Sequence, residues 1–138
     1  MEGRAEESAG DAIVAQGAPR AAGAYSHAYR AGDLVFISGQ GPLDPGTGEV
    51  VGHTIRDQVI RTLGNVEAIA RAAGGSMRDV VKVTAYLSSI DLFAEYDLAY
   101  REVFDFEPRP ARTTVGAELR DILVEIDAVL YLPGAGTL

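Results

Sequence analysis

The sequence predicts an α+β fold in which one mixed β-sheet carries two helices on one of its faces. Segments rich in β-formers come before, between and after two segments with helical spacing, so the order is strands, helix, strand, helix, strands. The chain has 138 residues, of which 47% are hydrophobic, and this size and composition are typical of one globular domain. Neither an internal repeat nor a linker divides the chain.

The first part of the chain predicts a tail, two strands and a turn. Residues 1–12 are acidic and rich in small side chains, so we expect a disordered tail before a single domain over residues 13–138. Residues 25–30 favour a short strand, and 33–38 favour a clearer one because they are mostly apolar and rich in β-formers. The glycines and proline of residues 44–48 indicate a turn.

The middle of the chain predicts the first helix. Apolar residues recur at three- and four-residue spacing over residues 55–73. Thr54 can cap the start of this helix, and the Gly74-Gly75 pair can end it.

The remaining elements are a strand, the second helix and two further strands. Residues 80–87 alternate and are β-branched, which favours a strand. The second helix is predicted to begin near Asp91, a good N-cap, with an aromatic-rich apolar face, and to end before Pro108 and Pro110. Residues 111–115 and 123–132 read as the closing strands. Two helices cover only one face of such a sheet, so we expect another copy of the chain to cover the other.

Composition excludes several kinds of site. The sequence has no cysteine, which excludes disulfides, thiolate metal sites and a cysteine nucleophile. Its net charge of −8 argues against nucleic acid as the main partner, because such binding depends on neutralising phosphates. His27 and His53 alone make no convincing metal site. Apolar runs are too short for a membrane helix and the N-terminus lacks an apolar signal core, so we expect a soluble cytoplasmic protein without a membrane partner.

Six short motifs, in order over most of residues 13–132, resemble those of the Rid (RidA/YjgF) family. The segment Gly23 to Ala28 is similar to Gly-Pro-Tyr-Ser-x-Ala, and Phe36 to Gln40 to a strand that ends in Ser-Gly-Gln. The others are the turn at 44–49, Asn65-Val66 with Ala72 to Gly75 at the end of the first helix, the Pro-Ala-Arg segment at 109–115 and the last strand at 124–128. Ser-Gly-Gln alone is a weak signal, but six motifs in register are a strong one.

The resemblance implies a chorismate-mutase-like fold that forms a homotrimer with active sites in the clefts between subunits. Members of the family hydrolyse reactive enamines and imines, such as 2-aminoacrylate, to a 2-keto acid and ammonia, and they use no cofactor. The implied ligand is therefore a small imine or enamine carboxylate.

Two residues are the candidates for catalysis. Arg112 matches the family's arginine and would hold the substrate carboxylate, since its guanidinium offers a two-donor fork that lysine lacks. Glu125 matches the acid that positions the attacking water. In the last strand Glu125 and Asp127 share one face and the apolar residues share the other. The plainer alternatives are a surface ion pair for Arg112 and an exposed strand face for Glu125.

Five further residues are predicted to bind substrate. Tyr25 would pack on the substrate, and Ser38 and Gly39 would line the pocket from the end of a strand; a core aromatic and plain turn chemistry are the alternatives. Asp97 and Thr114 stand where family members commonly have asparagine and cysteine. The change to Thr114 is mild, because the family uses mainly the backbone carbonyl there. Asp97 adds a negative charge that could pair with Arg112 or bind a donor on a larger ligand, unless it is simply solvated.

Two other functions stay open at this stage. A Rid-type enzyme of a specialised pathway would act on a larger imine or related intermediate, and a larger pocket would favour it. A ligand-binding trimer without turnover is the second alternative, against which Arg112 and Glu125 count. Some relatives have been described as ribonucleases, which the acidic charge makes the least favoured possibility.

Overall fold

The fold is one six-stranded mixed sheet with two α-helices, and the computed structural model describes residues 10–134 of the chain. The α+β class predicted from the sequence is therefore confirmed. The strand order is β1-β2-β3-β6-β4-β5, and all neighbours are antiparallel except β4 and β5. The elements are β1 (Gly10–Ile13), β2 (Ala28–Ala31), β3 (Leu34–Gln40), α1 (Ile55–Ala72), β4 (Val80–Leu87), α2 (Phe93–Val103), β5 (Ala111–Gly116) and β6 (Val124–Tyr131).

The predicted tail needs a new boundary. Residues 1–9 of that tail lie outside the described part of the chain. Residues 10–12, which we assigned to the tail, belong to β1 and pair with residues 29–31 of β2. The sequence pattern hides this strand because Gly10, Asp11 and Ala12 are poor β-formers, and pairing with β2 overrides that preference.

The first helix begins and ends as predicted. The Thr54 hydroxyl accepts a hydrogen bond from the Asp57 backbone N–H at 3.1 Å, which satisfies one of the free donors of the first turn. At the other end Gly74 has φ +95°, a left-handed conformation that glycine adopts without strain.

The second helix begins later than predicted. Ser89, not Asp91, provides the cap, because its hydroxyl accepts from the Asp91 N–H at 3.2 Å. The capped element is a 3-10 turn over Ile90–Leu92, and α2 follows it from Phe93. Since Asp91 lies inside this turn, its side chain is in the wrong place to cap the α-helix.

The core lies between the sheet and the helices. In β6 the apolar residues Val124, Ile126, Ala128 and Leu130 are all buried, and the residues between them turn to the other face. That other face, which we call the open face, has no helix over it within residues 10–134. Burial of one strand face against α1 and α2 is what fixes the register of the sheet. Side chains about half exposed on the open face are Tyr29, Phe36 and Tyr131.

One irregularity bends the sheet where β3 meets β6. Ile37 pairs with Ala128 and Gln40 pairs with Ile126, so Ser38 and Gly39 together oppose Asp127. Such a β-bulge inserts one residue into a strand and re-aims the side chains around it.

The described residues contain neither a membrane-spanning helix nor a cluster of metal ligands. Within residues 10–134, neither helix is long and apolar enough to cross a bilayer. In the same range, His, Asp and Glu side chains form no group of three that could hold a metal ion.

Candidate active site

The predicted catalytic residues lie on opposite faces of the sheet. In the register of β4 and β5, Arg112 is level with Val83 and Thr114 with Ala85, and these β4 partners are buried under the helices. Glu125 is level with Tyr86 of β4 and belongs to the open face. Because partners in register point to the same side of a sheet, Arg112 and Glu125 of one chain cannot face a common ligand.

Arg112 is held over a row of aromatic rings. Its guanidinium carbon lies 4.5 Å from the Tyr100 ring centroid, 5.2 Å from that of Tyr96 and 5.5 Å from that of Phe93. All three rings come from α2, of which Phe93 is the first residue. Contacts of this kind attract the cation to the ring faces and orient the guanidinium plane.

Asp97 joins Arg112 to a second arginine. Its Oδ1 accepts from Arg112 Nη1 at 2.9 Å, and its Oδ2 accepts from Arg101 Nε and Nη2 at 3.2 and 3.0 Å. Burial acts to raise the pKa of Asp97, but the hydrogen bonds from Arg112 and Arg101 outweigh it and hold that pKa below its ordinary value. Asp97 is therefore ionised and pairs with Arg112, as one of our sequence alternatives had it.

A hollow of about 320 Å³ opens at this cluster, and we call it the arginine hollow. Its lining holds three arginines against one aspartate, in a chain whose net charge is −8. Arg109 is fixed by a hydrogen bond from Nε to the Phe104 carbonyl at 2.8 Å and by an ion pair with Glu107. The lining residues are Asp97, Tyr100, Arg101, Arg109, Pro110 and Arg112.

Thr114 takes part in this region through the helix. Its hydroxyl and the Tyr96 hydroxyl share a hydrogen bond of 3.0 Å, beneath α2. Thr114 is not among the residues that line the arginine hollow, so its side chain serves to pack Tyr96 against β5.

The second group of predicted residues forms a separate hollow on the open face, which we call the glutamate hollow. It is lined by Tyr25, Ser38, Gly39 and Glu125. The β-bulge brings Gly39 against the Glu125 side chain so closely that a Cβ at position 39 would overlap the carboxylate. The absence of a side chain at Gly39 is thus what leaves room for Glu125.

Glu125 lies in an environment that favours its protonated form. Burial raises the pKa of Glu125, and the nearby carboxylate of Asp127 raises it further. Asp127 itself accepts a hydrogen bond from the Tyr86 hydroxyl at 3.1 Å. Within residues 10–134, Glu125 has neither an ion pair nor a side-chain hydrogen bond. A half-buried carboxyl with a raised pKa holds a proton more readily than an ordinary glutamate, which makes it a candidate for proton transfer.

Tyr25 and Ser38 form the rest of the wall. Ser38 donates from its hydroxyl to the Ser26 carbonyl at 2.6 Å, which ties β3 to the segment before β2. Tyr25 is about half exposed, and its hydroxyl accepts from the Ala22 N–H at 3.1 Å. Its ring is therefore available on the surface of the hollow and is not a core aromatic.

The structure thus divides the predicted site into two parts. Tyr25, Ser38, Gly39 and Glu125 come together on the open face. Arg112 and Asp97 come together on the helix side, with Thr114 in the layer behind them. Sequence reasoning missed Arg101 and Arg109 as neighbours of Arg112. One signal was present, because Asp97 and Arg101 have the four-residue spacing of a helical ion pair.

Comparison with known proteins gives a consistent family assignment. The family model described as endoribonuclease L-PSP matches residues 15–132. A RutC family protein of Pyrococcus horikoshii is 44% identical over 123 residues, which cover 88% of this chain and 97% of that protein. A 2-iminobutanoate/2-iminopropanoate deaminase of Dermatophagoides farinae is 37% identical over 117 residues, or 83% of this chain and 91% of that protein.

Solved structures agree with the fold. RidA from an Antarctic Psychrobacter has a TM-score of 0.83 at 36% identity, with 88% of this chain and 99% of that chain covered. TdcF of E. coli with bound serine has a TM-score of 0.81 at 35% identity, with 88% and 98% covered. The chorismate-mutase-like architecture expected from the six motifs is therefore confirmed.

Proposed function

Since this chain belongs to the Rid family, whose family model is described as endoribonuclease L-PSP, we propose that it hydrolyses small imine and enamine carboxylates to 2-keto acids and ammonia. A relative named 2-iminobutanoate/2-iminopropanoate deaminase supports this substrate class. The observation that carries the proposal is a fixed arginine fork and a half-buried, high-pKa carboxyl, which are the two groups that such a hydrolysis needs.

Arg112 is the proposed carboxylate anchor. Only Nη1 of its guanidinium is engaged by Asp97, so further N–H groups remain to donate to a ligand carboxylate. The aromatic rings of Tyr96 and Tyr100 hold the guanidinium in place before the ligand arrives. Such preorganisation reduces the entropy lost on binding.

Glu125 is the proposed proton carrier. A water beside its carboxylate attacks the carbon of the protonated imine, Glu125 accepts a proton from that water, and a neutral carbinolamine forms. Glu125 then gives this proton to the amino nitrogen, and as the C–N bond breaks its carboxylate takes the hydroxyl proton, so that ammonia leaves and the C=O bond forms. The raised pKa of Glu125 suits this cycle, because it makes the carboxylate a stronger base than an ordinary glutamate when it accepts the proton of the water.

The site is proposed to form between subunits of a homotrimer. Arg112 and Glu125 face opposite sides of the sheet, so a ligand that meets both must take them from two copies of the chain. The open face also carries apolar side chains that another copy would cover: Tyr29, Phe36 and Tyr131 are each about half exposed. A monomer in sedimentation at micromolar concentration would contradict this arrangement.

RNA cleavage, which the family description mentions, is not the function that we propose. The chain carries 20 acidic against 12 basic residues. Nucleic-acid binding draws its affinity from neutralised phosphates, and the arginine hollow is a compact cluster with no basic stripe along it.

The test is ammonia release from 2-iminopropanoate, made in situ by an amino-acid oxidase. Turnover above the spontaneous rate supports the hydrolase, whereas binding without turnover would leave the ligand-binding alternative.

The shared site has its own test, in which Arg112→Lys and Glu125→Gln subunits are unfolded, mixed and refolded together. If each site takes one residue from each of two neighbours in a ring, roughly a quarter of the sites regain both intact residues. If each site lies within one chain, the mixture stays as inactive as its two components. Refolded parent protein is the control for recovery.

A further inference from the structure

The arginine hollow holds more positive charge than one carboxylate needs. Arg101 and Arg109 line it together with Arg112, and Asp97 is the single acidic residue of the lining. A ligand with one carboxylate on Arg112 would leave two guanidinium groups beside it in a chain that is otherwise acidic.

Arg101 and Arg112 are held close together before any ligand binds. Asp97 accepts from Arg112 with Oδ1 and from Arg101 with Oδ2, so one carboxylate separates the two guanidinium groups. Arg101 uses Nε and Nη2 in this contact, which leaves Nη1 to donate elsewhere. Both oxygens of Asp97 accept hydrogen bonds from arginines, so its charge serves first to hold the two guanidinium groups together.

Arg109 strengthens the positive end of the hollow. Its Nε is anchored on the Phe104 carbonyl, and its remaining partner, Glu107, is a largely exposed side chain. An ion pair of that kind contributes little and is easily exchanged for another anion.

Tyr100 supplies a further sign that the cluster is built for a ligand. The residue lines the hollow and is 97% buried, yet its hydroxyl has no hydrogen-bond partner within residues 10–134. A buried hydroxyl without a partner is costly, and such a group is often satisfied by ligand or water in the working protein.

We propose that the arginine hollow selects a 2-imino acid whose side chain ends in a second anionic group, with Arg112 on the first carboxylate and Arg101 on the second. This inference rests on the proposed function, of which it narrows the substrate class from small imine carboxylates in general to dicarboxylate imines. Fixed arginine pairs suit this task, because guanidinium geometry matches carboxylates in direction as well as charge.

The experiment compares two imines of equal chain length, 2-iminoglutarate and 2-iminopentanoate, each made in situ from its amino acid by an oxidase. We expect the parent protein to favour 2-iminoglutarate in kcat/KM by about tenfold, the effect of one charge-assisted contact. Arg101→Gln should remove most of that preference, and Arg109→Gln should reduce it. Arg71→Gln is the matched control. It breaks an exposed ion pair between Arg71 and Glu67, which lie four residues apart on α1, and it should retain the full preference.

Three results would overturn the inference. The parent could turn over both imines equally, or favour 2-iminopentanoate, which has a single carboxylate. Arg101→Gln could lower kcat/KM for both imines by the same factor, which would mean that Arg101 acts only through Asp97 on Arg112.

If no imine is hydrolysed, the proposed function fails and calorimetry decides the inference alone. The probes are then 2-oxoglutarate and 2-oxopentanoate. Tighter binding of 2-oxoglutarate that is lost in Arg101→Gln would uphold the two-anion site, and equal binding would reject it.

Discussion

The arginine hollow and the glutamate hollow are built in opposite ways. Arg112 has several partners within its own chain, with three aromatic rings against its guanidinium and Asp97 bound to Nη1. Glu125 has no ion pair or side-chain hydrogen bond among residues 10–134, and a glycine provides the space that it occupies. In the function that we propose, the first group is held in place to bind a carboxylate, whereas the second leaves a carboxylate without partners so that it can transfer a proton.

The largest expected effect comes from Glu125→Gln. The amide keeps the shape of the side chain but cannot accept a proton from water, so we expect kcat to fall by about 10²–10⁴-fold while KM changes much less. Steady-state ammonia release measures both constants. Glu49→Gln, at an exposed loop position, is the control and should behave as the parent does. An unchanged kcat would move the proton-transfer role to another group.

Arg112→Lys should come next. Lysine keeps a positive charge for Asp97 and so preserves the fold, but it loses the fork and the flat contact with the rings. We expect kcat/KM to fall by about 10²-fold, which corresponds to roughly 2–4 kcal/mol of binding in the transition state. Circular dichroism checks the fold. Near-parent kcat/KM in a folded variant would rule out Arg112 as the anchor.

Asp97→Asn should have a smaller effect with the opposite sign. The asparagine oxygen still accepts a hydrogen bond from an arginine, but the negative charge beside Arg112 is gone. We expect KM for 2-iminopropanoate to fall about two- to fivefold, because a partly exposed negative charge that repels the substrate carboxylate has been removed. Kinetics identical to those of the parent on every imine would show that the charge of Asp97 has no effect on substrate binding.

The smallest effect is a shift in pH dependence on the open face. Burial is the larger cause of the raised pKa of Glu125, and the negative charge of Asp127 is the second. Asp127→Asn should therefore lower that pKa. If ionised Glu125 is the base, kcat falls as pH drops through its pKa, and the variant should remain active to a lower pH than the parent. A pH profile of kcat measures this shift. If the fall of kcat at acidic pH occurs at the same pH in Asp127→Asn as in the parent, a group other than Glu125 causes that fall.

The sequence predicts most of the elements of this fold because their signals are local. The Thr54 cap and the Gly74-Gly75 stop define α1, and alternation defines β4 and β6. Strand β1 was missed because its residues are poor β-formers that gain order only by pairing with β2. The start of α2 was misplaced because Ser89 and Asp91 are both good caps, and the intervening 3-10 turn decides between them.

Motif resemblance named the candidate site residues but not their arrangement in space. Arg112 and Glu125 are separated because β4 pairs in parallel with β5 on one side and antiparallel with β6 on the other, and this register is not visible in the local sequence. The bulge at Ser38 and Gly39 also has no local signal, since it arises from the register of β3 against β6. Charges gathered by tertiary contacts, such as Arg101 of α2 beside Arg112 of β5, are invisible for the same reason.

The close approach of Gly39 to Glu125 constrains how this protein can change over generations. A Cβ at position 39 would overlap the end of the Glu125 side chain, so a substitution there requires the carboxylate to leave the position that it now holds. A shorter residue at position 125 would relieve this contact, but it would also remove the proposed proton carrier. The residue type at position 39 and the position of the Glu125 carboxylate are therefore coupled.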